Sequence, residues 1–97
     1  VLRCHPRVLE TRLRRKHWSK RKINENLLAE ILDICLWDAV HNYRWSKIAE
    51  IDTTNTSPSH VVDLAIRDLK MKRIPKQRRV DWLSTLKREG TLAHYLK

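Results

Sequence analysis

The chain has a single glycine, Gly90, and it lies near the far end. Loops that cradle phosphate on backbone N–H groups need several glycines close together, so this sequence holds no Walker A loop. Cysteine is nearly as scarce: Cys4 and Cys35 are the only thiols, too few for a disulfide framework, and both are expected to be reduced. No His-x-Glu, Cys-x-x-Cys or His-Glu-x-x-His pattern occurs and the five histidines are scattered, which disfavours a zinc site. A nucleophile elbow is absent too, so a hydrolytic triad has no local support. No apolar run approaches the ~20 residues of a membrane span, and Val1-Leu2 is too short for a signal-peptide core. The chain is therefore expected to be soluble and intracellular. Acids are outnumbered, 11 against 21 Lys and Arg, leaving a formal charge of +10. Such a charge attracts polyanions at a distance, so nucleic acid and nucleotide both remain possible as partners, and no membrane partner is expected.

What the sequence does have is concentrated. Residues 12 to 22 carry eight cationic side chains, counting His17, with Trp18 and no acid. Part of this cluster is ordinary, because cations are favourable near a helix C-terminus. The rest suits phosphate, which Arg meets with a planar fork and Lys with a point charge. Trp18 has two readings: a platform for a base, or an anchor that folds back onto the neighbouring helix. A second basic stretch, Lys70 to Arg79, reads as a solvated connector in preference to an RNA-binding patch.

Ninety-seven residues suffice for one small domain. Val1-Leu2-Arg3-Cys4 reads as a strand, and Pro6 at a first helical position opens a helix to about Lys16, with Leu9 and Leu13 on one face. Ser19 caps a long helix, about Lys20 to His41, whose apolar positions are Ile23, Leu27, Ile31, Ile34 and Trp37. Glu30 falls near that packed face, as a surface carboxylate paired with a nearby base. Lys47 to Asp52 reads as a second strand and Thr53 to Thr56 as a polar loop. Ser57-Pro58 then starts a helix striped by Val61, Val62, Ala65, Ile66 and Leu69. A last short helix, Asp81 to Glu89, stops at Gly90. This order is the rhythm of parallel α/β architecture. Two short strands, however, leave edges and helix faces uncovered. With Val in place of Met at its start, the sequence is expected to be part of a longer fold.

Several of these residues form a pattern. Val1-Leu2-Arg3, Val8-Leu9, Arg12-Leu13, Trp18, Lys22-Ile23, Asn26 and Ala29-Glu30-Ile31 resemble the second half of the archaeal and nuclear-type adenylate kinases, the isoenzyme-six kind. Glu50 to Thr54, followed by Ser57-Pro58, is similar to that family's last core strand and nucleotide-facing loop. The resemblance implies an α/β fold, a P-loop nucleoside-monophosphate-kinase sheet wrapped by helices, of which this chain would hold the last two strands and the following helices. Residues 1–69 would form the C-terminal half of the core, with the lid at about 14–23; residues 70–97 would be a basic connector and C-terminal helix. It implies Mg²⁺-dependent phosphoryl transfer from ATP to AMP, giving two ADP. By the same carry-over Arg12, Arg15 and Lys16 are the candidate catalytic lid residues, and Lys16, Arg12, Thr53, Thr54 and Asn55 the candidate nucleotide-binding ones. No residue of this chain is assigned to metal, since Mg²⁺ would be held largely upstream. Where the family lid has Arg-Gly before its aromatic, this chain has Lys16-His17. The family's phosphate loop, catalytic Lys and monophosphate region also lie upstream, so the 97 residues alone are expected to be inactive. Work in small ribosomal subunit maturation, beside a ribosomal protein and rRNA, is implied as well, with a cytoplasmic location, or a nuclear one in a eukaryote. The competing reading from another class is a non-catalytic, basic RNA- or ribosome-binding module.

Overall fold

A computed structural model describes residues 1–71 and 80–96. The elements run β1 (Leu2–Arg3), α1 (Pro6–Arg15), α2 (Lys20–Ile31), α3 (Ile34–Asn42), a 3-10 turn (Trp45–Lys47), β2 (Ile51–Asp52), α4 (Pro58–Leu69), α5 (Trp82–Glu89) and α6 (Leu92–Tyr95). Helix dominates, and β1 and β2 form a parallel pair in which Leu2 faces Ile51 and Arg3 faces Asp52. Of the second basic stretch, all from residue 72 to 79 lies outside the described residues. Among the described residues no helix is long and apolar enough to cross a membrane.

The helix starts are local and follow their caps. The His5 ring accepts from the Arg7 N–H while Pro6 takes the first helical position, Ser19 accepts from the Lys22 N–H, and Ser57 accepts from the His60 N–H ahead of Pro58. Asp81 caps α5 by accepting from the Ser84 N–H, and Gly90 ends it in the left-handed region at φ 72°. The Ser84 hydroxyl and N–H hold the Asp81 carboxyl below its ordinary range. A lowered folded-state pKa gives stabilisation that is complete above the unfolded value, near 4, and is lost as the pH falls through the folded one. Asp81→Ala is accordingly expected to cost about 1 kcal/mol at pH 7. Thermal melts should show that difference shrinking once the pH drops below about 4.

The long helix expected over Lys20 to His41 is two helices. Asp33 sits in the left-handed region at φ 59°, between α2 and α3. Asp tolerates that conformation better than most residues, and here its carboxylate is held 2.6 Å from the Arg3 guanidinium, which also donates to the Glu30 carbonyl at 2.9 Å. The break resets the apolar phase. Ile23, Leu27 and Ile31 are buried as expected and Leu36 continues the core, whereas Ile34 and Trp37 are about half exposed. The second strand is also shorter than Lys47 to Asp52, because its first residue closes the 3-10 turn.

Leu13, Ile23 and Leu27 form a buried cluster, with Leu9 and Tyr95 packed against it. The expected stripe on α4 forms but is poorly covered: Val62, Ile66 and Leu69 are exposed, Leu69 by 84%. Helix α6, which brings Tyr95 to the core, has no counterpart in the sequence reading, since a four-residue helix carries almost no periodicity.

Candidate functional site

In a parallel sheet, ligands are met at the carboxyl ends of the strands. There β1 runs into Cys4-His5 and β2 into Thr53-Thr54-Asn55. The two exits are stitched together. The N–H and hydroxyl of Thr53 both donate to the Arg3 carbonyl at 2.7 Å, and the His5 N–H donates to the Thr54 hydroxyl at 2.8 Å. Asp52 accepts from the Thr54 N–H at 3.0 Å and from its hydroxyl. Asn55 lies exposed at the tip of the turn.

Arg12 reaches this loop from the middle of α1. One terminal nitrogen donates to the carbonyls of Thr53 and Thr54 at 3.0 and 3.1 Å; the other lies 3.4 Å from both the Thr53 hydroxyl and the Cys4 sulfur. Three of the sequence candidates, Arg12, Thr53 and Thr54, are thus brought into one contact set. Both terminal nitrogens of Arg12 are committed to the protein, which leaves Nε to meet an anion. Burial pushes the Cys4 thiol up, with Arg12 opposing, so this buried sulfur stays a protonated thiol.

Arg15 and Lys16 lie beyond, at the end of α1. Both are exposed and, among the described residues, neither side chain has a hydrogen-bond or ion-pair partner, so their charges are available to a ligand. The segment expected to be a lid is a tight turn between packed helices: α1 ends at Arg15, Lys16 and His17 turn the chain, and Ser19 caps α2. His17 is left-handed at φ 58°, donating from its N–H to the Arg14 carbonyl at 3.0 Å. A glycine takes that conformation without the steric cost a side chain carries. His17→Gly is therefore expected to raise stability by roughly 0.5–1 kcal/mol, after the added freedom of the unfolded chain is subtracted. A Tm a few degrees higher would register it.

Behind this edge stands a charge cluster that the sequence reading met only in part, through Glu30. The Arg3 side chain, 2% exposed, is ion-paired to Glu30, to Asp33 at 2.6 Å and to Glu50 at 2.9 Å. Burial alone would lower its pKa, but hydrogen bonds and charge from Glu30 and Asp33 outweigh it and push it up. Glu30 also accepts from the Trp82 indole at 2.8 Å, and Glu50 from the Val80 N–H at 2.5 Å. His5 adds a third tie to the C-terminal helices, with its ring 2.8 Å from Glu89 and edge-on to Trp82. Among the described residues no group of His, Cys, Asp and Glu is arranged to hold a metal ion.

No protein-family model matches the chain. Several archaeal proteins, each named "Putative adenylate kinase", do. The one from Methanocaldococcus jannaschii is 40% identical over 84 residues, 84% of this chain and 43% of that protein. The one from Archaeoglobus fulgidus is 40% identical over 90 residues, 89% of this chain and 49% of that protein. The one from Pyrococcus abyssi is 39% identical over 82 residues, 84% of this chain and 44% of that protein. The chain spans less than half the length of these relatives, and what it shares with them is a partial resemblance, to the C-terminal half of the archaeal adenylate-kinase type.

Proposed function

We propose that this chain supplies the lid and nucleotide-facing half of an adenylate kinase, within a parallel sheet completed by further strands. The observation that carries the reading is the bridge from Arg12 to the Thr53 and Thr54 carbonyls at the carboxyl ends of two parallel strands. Residues 1–69 are the core half, with the lid at 14–23, and residues 70–97 are a basic connector and C-terminal helix, whose Trp82 and Leu86 are buried. The uncovered stripe on α4 supports a fold with more layers than β1 and β2 provide.

In phosphoryl transfer the charge of the transition state spreads over the phosphoryl oxygens, and catalysis is mostly positioning and electrostatic stabilisation. The γ-phosphoryl group leaves ATP and joins an oxygen of AMP, giving two ADP. Mg²⁺, held largely by upstream residues, would neutralise the polyphosphate when bound. Lys16 and Arg15, on the α1–α2 turn, add positive charge beside the triphosphate and help exclude water. Arg12 holds the Thr53–Asn55 loop with its terminal nitrogens and offers Nε to a phosphate oxygen. Backbone groups of Thr53, Thr54 and Asn55 meet the adenine.

The test is a chimera in which these 97 residues replace the matching stretch of the Methanocaldococcus jannaschii relative. With Mg²⁺, it is expected to form ADP from ATP and AMP, as measured beside its parent. A folded chimera that lacks turnover while its parent is active would contradict the reading. The second reading, a non-catalytic RNA-binding module, rests on the +10 charge and the exposed lid cations. It requires RNA binding by the chain alone, with affinity falling steeply as salt rises.

A further inference from the structure

A cavity lies on the other side of α1. Side chains two residues apart on a helix differ by about 200° in direction, so Glu10 and Arg14 point away from the face that Arg12 turns to Thr53. With Trp18, Lys20, Asn24, His94 and Tyr95 they line an open groove of about 660 Å³ between α1, α2 and α6, floored by Ile23 and Leu27. That volume is within the range of small-ligand sites.

We propose that this groove binds a nucleobase together with its phosphate, at a site separate from the Arg12 edge but built in part from the 14–23 segment. Four features of the lining support that ligand. Trp18 and Tyr95 offer two aromatic surfaces on which a base can stack, and every base has a π-face. The Trp18 indole, 38% exposed, has the Lys22 ammonium 5.6 Å from its ring centroid, a contact that helps hold it in place. Lys20 and Arg14 supply positive charge at the rim; Lys20 has no hydrogen-bond or ion-pair partner among the described residues.

The fourth feature selects the base. Glu10 is largely buried, paired with Arg14 at 2.7 Å and 3.7 Å from the His94 ring. A carboxylate there repels an acidic peptide but accepts from an exocyclic amino group, and the Asn24 amide can both donate to and accept from a base edge. Adenine presents an amino group; uracil has none. Tyr95 remains a donor, because burial and then the Glu10 charge push its phenol up.

Calorimetric titration of the 97-residue chain with AMP, hexaadenylate, hexauridylate and inorganic phosphate tests this. Saturable binding of the adenine ligands is expected, at least tenfold tighter than hexauridylate or phosphate. Trp18→Ala and Lys20→Ala should each weaken it tenfold or more, and Lys16→Ala, on the lid turn, should leave it unchanged. Equal affinity for AMP and hexaadenylate identifies a mononucleotide site; a hexamer bound more than tenfold tighter, with strong salt dependence, identifies single-stranded nucleic acid. Should Trp18→Ala lose its cooperative melt, Lys20→Ala and Asn24→Ala, both at exposed positions, decide instead. Absence of saturable binding, phosphate binding as tightly as AMP, or binding lost in Lys16→Ala and kept in Lys20→Ala would overturn the proposal.

Discussion

Replacing Arg3 by Met is expected to destabilise the fold by about 3–5 kcal/mol, because it strands buried carboxylates without their counterion. Glu50 has a side-chain exposure of 0% and Glu30 of 15%, so neither can recover its loss by turning to water. A Tm roughly 15 °C or more below that of the parent chain is the expected reading. The cause can be separated from lost packing. Glu50→Gln in the Arg3→Met background removes the most buried negative charge and keeps a side chain of the same shape, so it should return part of the loss. If Arg3→Met alone melted within about 1 kcal/mol of the parent, the ion cluster would be incidental to stability. The effect should extend beyond β1, since Glu30 and Glu50 also hold Trp82 and Val80, and the Arg3 carbonyl receives Thr53.

The second large effect is catalytic. In the active chimera, Arg15→Ala together with Lys16→Ala is expected to lower turnover by about 10³-fold or more, by analogy with arginine fingers, which contribute roughly 10³ to 10⁵. Stability should barely move, since both side chains are exposed and exposed substitutions are usually worth within about 0.5 kcal/mol. Arg12→Ala should differ in kind. It also removes the bonds to the Thr53 and Thr54 carbonyls, so loss of turnover should come with a lower Tm.

How much of this was legible in the sequence depended on how far the cause lay from its effect. The starts of α2 and α4 were readable because Ser19 and Ser57 cap N–H groups three residues on, and that of α1 because Pro6 suits a first helical position. The break at Asp33 was not, because what holds that carboxylate is Arg3, thirty positions earlier. The exposure of Trp37 and Ile34 follows from that break and was hidden with it. In the site, the charge run from Arg12 to Lys22 announced an anion-facing turn, yet could not tell Arg12, tied to the β2 loop, from Arg15 and Lys16, which face solvent. The Arg3 cluster did leave a signal: Arg3 is the one charged residue of Val1-Leu2-Arg3-Cys4, and such residues are rarely buried unless paired. The left-handed turn at His17 explains why a glycine suits that position in the family pattern.

The central claim is that the α1–α2 turn brings charge to a nucleotide triphosphate, and one comparison meets it directly: ADP formation from ATP and AMP by the chimera and by its Arg15→Ala, Lys16→Ala form, with melting curves of both. Turnover in the first, its loss by about three orders of magnitude in the second, and matching Tm values are the expected results. Equal turnover in the two, with both folded, would contradict the claim.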